Sequence, residues 1–181
     1  MHPLSPFDIG FTGFAGAGKD SASNAIFNAD VRYTRRAFAD AIKSIAKSVG
    51  WDGEKDLRGR ALLQNIGMCV RDYDPDAWVK VIEQKLPQTA GTAPVLWTDV
   101  RFENEAEFVK QRGGIIIEVR RQGHAHTLHP SEVNHLRIKA DYIVNNDSTI
   151  KSLHEQVLAV VSLEQKIRFE KFLKESQAPA E

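Results

Sequence analysis

Seven residues near the start of the chain, Gly13-Phe14-Ala15-Gly16-Ala17-Gly18-Lys19, limit what it can fold into more than any other feature. They spell G-x-x-x-x-G-K between an apolar run at 8–12, with Ile9 and Phe11, and a stretch at 19–28 whose Ala22, Ala25, Ile26 and Phe27 suit a helix. Glycines let a backbone curl so that several N–H groups point inward at phosphate oxygens. The helix start adds the positive end of its dipole, and the lysine ammonium reaches the outer phosphates. The flanking strand and helix therefore favour a nucleotide site, with ATP held from Gly13 to Ser21, over a plain glycine turn. A dinucleotide fingerprint is not satisfied, because the glycines fall at 13, 16 and 18. The loop departs from the usual pattern at one place, where Asp20, followed by Ser21, replaces the hydroxyl residue that holds Mg2+. Asp20 is a hard oxygen ligand that suits Mg2+ directly, through its water, or by orienting Lys19. Its other reading is a carboxylate that simply favours a helix N-terminus.

The rest of the chain alternates strand-like and helix-like runs. Strands are expected at 31–38, 95–98, 115–119 and 142–144, and helices at 40–49, 61–70, 103–112 and 149–162. A further helix opens at Pro75 with Asp74 as its expected cap, burying Trp78, Val79, Ile82 and Leu86. A separate charged helix is expected at 164–175. This alternation implies an α/β fold: a three-layer sandwich with a mainly parallel sheet, built around a phosphate loop. Ligands of such sheets bind beyond the carboxyl ends of the strands. The glycine loop, Asp99 after the strand taken as central, and Arg120 after the next all fall there.

Composition narrows the field. A chain of 181 residues with 42% hydrophobic content suits one domain with a full core. Lysine plus arginine equals aspartate plus glutamate at 24 each, which argues against a bulk nucleic-acid binder. The one cysteine, Cys69, excludes an intrachain disulfide, fits a reducing compartment and reads as a small buried apolar residue. No apolar run approaches the roughly 20 residues that span a bilayer, and residues 1–6 do not resemble a signal peptide. The expected location is the cytoplasm, a host's if the chain is phage-encoded.

Asp99 ends an apolar strand, the place of a carboxylate that serves a phosphate-bound metal, or alternatively caps the next helix. Arg101 projects from the same end, and Arg60, Arg71, Arg120 and Arg121 lie near other element ends. Each arginine alone reads as a surface residue. Beside a phosphate loop, some of the set should bind an acceptor phosphate, because guanidinium groups match phosphate oxygens in pairs. His124, His126 and His129 lack a cysteine or tight carboxylate partner, so the polar segment around them reads as a phosphate-covering loop rather than a zinc site.

Several blocks together resemble bacteriophage deoxynucleoside monophosphate kinases. They are Gly13 to Ser21, Arg60-Ala61-Leu62-Leu63-Gln64-Asn65-Ile66-Gly67, Asp76-Ala77-Trp78-Val79, Thr98-Asp99-Val100-Arg101-Phe102-Glu103-Asn104-Glu105, Gly114 through Arg120, Ser131-Glu132 and Asp141 to Asn146. The resemblance implies transfer of the ATP γ-phosphate to a deoxynucleoside monophosphate, with Mg2+. It further implies an acceptor-binding helical insert at 58–87 and a lid at 121–140. Asp40, Lys43, Arg60, Gln64, Arg71, Trp78, Asp99, Arg101 and Glu132 would then serve the acceptor. Lys19, Asp20, Asp99, Arg101 and Arg120 would carry the chemistry, with Arg121 near the donor. Animal-type phosphomevalonate kinases look similar in the same blocks and remain an alternative, as does a nucleotide-gated binding protein without acceptor chemistry. The tail carrying Leu163, Ile167, Phe169, Phe172 and Leu173 could pack on its own domain or form a homodimer.

Overall fold

The computed structural model describes residues 6–86, 93–123 and 133–177. Its centre is a five-stranded sheet in the order β2-β3-β1-β4-β5, with every neighbouring pair parallel. The strands are β1 (Ile9–Thr12), β2 (Thr34–Arg36), β3 (Val95–Trp97), β4 (Ile115–Arg120) and β5 (Tyr142–Asn145). The helices are α1 (Lys19–Ala29), α2 (Ala39–Ser48), α3 (Leu57–Tyr73), α4 (Ala77–Lys85), α5 (Glu103–Gln111) and α6 (Ile150–Ser176), with a 3-10 turn at Asn134–Arg137.

Buried strands of a parallel sheet need apolar side chains on both faces, and β1, β3 and most of β4 supply them. One core, built on Ile9, Phe11, Ile115 and Ile117, meets α1 and α6 through Ala22, Ile26, Leu153 and Val157. A second core, on Val95, Trp97 and Ile116, meets α4 and α5 through Ile82, Ala106 and Val109. A smaller cluster of Ala41, Ile42 and Trp78 ties α2 to α3 and α4.

The central strand is β1, not β3, so the glycine loop leaves the middle of the sheet and the Asp99 end lies beside it. The direct link is a hydrogen bond from Val100 N to Phe11 O at 3.0 Å. The chain passes from β3 across β1 to β4, so the order reverses here, and such a switch point opens a ligand crevice.

Several local expectations are corrected. The second strand is only Thr34–Arg36, because it pairs with the three residues of β3 alone; Val31 is 93% exposed. α3 begins at Leu57, four residues before the expected start, because Asp56 caps it through Gly59 N at 2.7 Å. Asp74 does not cap α4 with its side chain; it ends α3, accepts from Asp76 N and pairs with Lys80. Cys69 is exposed on α3 rather than buried. The two expected C-terminal helices are one, α6. Its start is capped by Thr149, which accepts from Ser152 N. Its continuation past Ser162 is held by Tyr142 on Glu164, by the Glu164–Arg168 pair, and by Arg168 stacked 4.1 Å over Phe7. No helix among the described residues is long and apolar enough to cross a membrane.

Candidate active site

The loop after β1 takes its shape from three left-handed glycines, Gly13, Gly16 and Gly18, with φ of 127°, 76° and 106°. Two of these positions also need the missing side chain. A Cβ on Gly13 would drive into the backbone oxygen of Val119, and one on Gly18 into the amide of Asn146. The Asn146 side chain donates to Ala17 O at 2.9 Å, which anchors the loop to the end of β5. α1 starts at Lys19 with no side-chain cap at Gly18. A helix start of this kind presents backbone N–H groups and positive dipole to an anion. Lys19 is 8% exposed, and its ammonium donates to Gly13 O and Phe14 O, both at 2.7 Å. The cation is therefore fixed over the loop's own backbone. Ala15 and Ser21 lie at the crest of the loop and in the first turn of α1.

Asp20 is in that first turn with 83% of its side chain exposed, facing Arg35 at 3.5 Å. Its carboxylate thus stands in solvent at the loop's exit. Among the described residues no group of three metal-ligating side chains gathers anywhere. The donor set fits an ion that arrives on nucleotide phosphates, with one protein carboxylate to add, rather than a protein-built metal cage. Arg120 ends β4 beside the loop and Arg121 follows it, and the two line a second cleft with Phe14, Ala17, Asn145 and Asp147. Arg120 pairs with Glu118 at 2.8 Å.

The acceptor side is assembled from distant segments. α2, α3 and the turn between β3 and α5 enclose an open pocket of about 160 Å3. Six expected residues line it together: Lys43, Arg60, Gln64, Arg71, Asp99 and Arg101. Phe38, Ile42, Leu63 and Phe102 give it apolar walls. Lys43 is held by Asp40 at 2.8 Å, and Asp40 also accepts from Ala37 N at the start of α2. Asp40 therefore acts behind the lining. Trp78 is 2% exposed and donates its indole N–H to Gly67 O at 3.0 Å, so it supports the pocket wall instead of facing the cavity. Glu132 and the histidines at 124, 126 and 129 lie outside the described residues.

Asp99 caps a helix, but not the next one. Its carboxylate accepts from Phe38 N at 2.7 Å and Ala39 N at 2.8 Å, at the start of α2, some 60 residues earlier in the chain. Burial pushes its carboxyl above the usual range, against the pull of the Ala39 N–H and the charge of Arg101.

Sequence reasoning assigned no role to Glu105. This residue is 2% exposed; one oxygen meets the Arg71 guanidinium and the other accepts from Arg101 N at 2.8 Å and Phe102 N at 3.2 Å. Burial pushes Glu105 up to about 7 despite the opposing charge of Arg71. Burial also lowers Arg71, against the pull of Glu105. A glutamate three residues into a helix is a capping signal that a sequence shows. The arginine from α3 that meets it is not visible there.

A glycine loop at the centre of a parallel sheet, with a cation-lined pocket at the next strand end, defines a P-loop phosphotransferase. The chain belongs to the deoxynucleotide monophosphate kinase family, whose model matches residues 21–157. That match begins at Ser21, directly after Lys19 and Asp20 of the phosphate loop. A protein of Acanthamoeba polyphaga mimivirus named "Putative deoxynucleotide monophosphate kinase" is 28% identical over 188 residues, covering 84% of this chain and 95% of its own. In fold, a gluconokinase from Sinorhizobium meliloti 1021 superposes with a TM-score of 0.54 at 14% identity, over 91% of this chain and 97% of its own. The reaction class is therefore phosphoryl transfer to a deoxynucleoside monophosphate, and the resemblance to phosphomevalonate kinases is secondary.

Proposed function

We propose that the chain moves the γ-phosphoryl group of Mg-ATP, held on Gly13 to Ser21, to a deoxynucleoside monophosphate in the α2–α3 pocket. The observation that carries this is the adjacency of the two sites, joined where Val100 N meets Phe11 O at the ends of neighbouring strands. The attacking group is an oxygen of the monophosphate, whose second pKa near 6 leaves it largely ionised at neutral pH. No side chain is then needed as a general base. The protein's contribution is position and charge. The bond from the γ-phosphorus to its bridging oxygen breaks, a bond to the acceptor oxygen forms, and ADP leaves with the electron pair. Lys19 stabilises charge moving onto the outer phosphates. Arg71 and Arg101 neutralise the acceptor so that two anions can approach, and the apolar walls take the base.

Mg2+ would supply positive charge that offsets the phosphates, and Asp20 would be the side chain to hold it or its water. An Asp20→Asn variant should need more Mg2+ for half-maximal turnover; an unchanged Mg2+ dependence removes this role. Arg120 and Arg121 are assigned to the donor side, with 121–140 covering the bound phosphates. Protection of that segment from protease by ATP plus monophosphate tests the cover. The exposed Ile167, Phe169 and Phe172 of α6 support a homodimer, which sedimentation would test. The decisive assay is coupled ADP release with dGMP, dTMP, dAMP, dCMP and phosphomevalonate. Release with one or more deoxynucleotides is expected. ATP binding without phosphorylation of any of them would instead favour a nucleotide-gated binding protein.

A further inference from the structure

Glu105 is not needed by the chemistry above, yet it is the most buried ionisable group at the pocket. Its two oxygens are divided between segments that lie 30 or more residues apart. Oε2 holds the backbone of Arg101 and Phe102, in the turn that follows β3. Oε1 holds the guanidinium of Arg71, which comes from the last turns of α3. The same guanidinium lies over the Phe102 ring, 3.7 Å from its centroid, so the turn and the arginine are locked together on two sides.

We infer that Glu105 is a positioning residue of the acceptor site, setting the spacing of Arg71 and Arg101 so that both meet the phosphate of the bound monophosphate. This rests on the α2–α3 pocket being the monophosphate site. The simpler role is a helix cap, and one oxygen already fulfils it. The second oxygen does something a cap does not require. A buried ion pair costs desolvation that its attraction often fails to recover, and an apolar pair of similar volume is commonly as stable. Stability alone thus gives no reason for a charged pair at this wall. A fixed guanidinium gives one, because paired N–H donors must match phosphate oxygens in direction as well as charge. Burial also drives Glu105 toward its neutral form, and Arg71 is the principal charge opposing that drive. The ionised carboxylate and the placed arginine depend on each other.

Glu105→Gln separates the two roles. The amide oxygen still accepts from Arg101 N and Phe102 N, while the amide NH2 faces Arg71 as donor against donor. In steady-state assays with ATP and the best-accepted monophosphate, this variant should raise the monophosphate KM roughly 10-fold or more and leave the ATP KM within about twofold. Arg71→Met should raise the same KM, and adding Glu105→Gln to it should change little further, since both act through one group. Equal changes in the two KM values, a loss of thermal stability with no KM change, or effects that multiply in the double variant would overturn the inference. If Glu105→Gln does not fold, Glu105→Asp keeps the counter-charge with a shorter reach. It should then raise the monophosphate KM several-fold and selectively; a non-selective change, or none, overturns the proposal equally. If Arg71→Met and Arg101→Ala both leave the monophosphate KM unchanged, the pocket assignment itself is wrong, which is a separate result from a silent Glu105.

Discussion

The two halves of the site bind phosphate by different means. The core of the donor side is one continuous segment, Gly13 to Ser21, in which backbone geometry dominates and Lys19 supplies the cation. The acceptor side is made of side chains from α2, α3, the turn after β3 and α5, with Arg71 braced by a buried carboxylate and an aromatic ring. A backbone cradle needs a few glycines in a fixed order and tolerates variation in side chains around it. A side-chain pocket needs every supporting element in register, so it depends on the whole core. The donor half should therefore fail through local strain or lost charge, and the acceptor half through lost alignment.

The largest effect is expected at Lys19. Lys19→Met should lower turnover about 10^3-fold, the scale of removing one preorganised charge from a transition state, with the monophosphate KM nearly unchanged. A comparable rise in that KM would mean that the two halves are not separable. Next, Arg101→Ala should raise the monophosphate KM about 10- to 100-fold by deleting a charge-assisted hydrogen bond, without altering ATP affinity measured by titration. Gly13→Ala should then cost about 2 kcal/mol of stability, because a left-handed residue would press its methyl on the Val119 backbone. Gly50, also left-handed at φ 93° but open to space, should tolerate alanine better, and denaturant unfolding of the two variants compares them.

The smallest effect concerns pH. Glu105 lies at about 7 in the folded chain against an ordinary 4.5, so between those values the native state binds more protons than the unfolded state. Stability should consequently rise as pH falls through 7 toward 5, by at most about 1.4 kcal/mol per pH unit from this group. Asp99, also raised by burial, contributes with the same sign. A Glu105→Gln variant should show a flatter melting profile over that window; an unchanged slope would place the titration elsewhere.

How much was legible in the sequence follows the same division. The loop was readable because all its parts are within nine residues and each glycine answers a local backbone need. The pocket arginines were readable only as a set, since nothing in the chain says that Arg60 and Arg101 share a cavity. Helical periodicity puts Trp78 on a buried face, as found, while the acceptor role implied by resemblance becomes wall support, because its indole finds Gly67 O inside the fold. Asp99 looked equally suited to two roles, and its true neighbours, Phe38 and Ala39, are distant in sequence. The break expected near residue 163 in the last helix is absent, since contacts from Tyr142 and Phe7 carry the helix through it.

By itself, then, the sequence determined a parallel α/β sheet with a phosphate loop after its first strand, because periodicity and glycine placement are local properties. Only the tertiary structure decided that β1 is central, that Asp99 braces α2, and that Glu105 joins two arginines. Those facts rest on contacts between segments tens of residues apart, and burial gives such contacts their strength by removing the water that would otherwise weaken them.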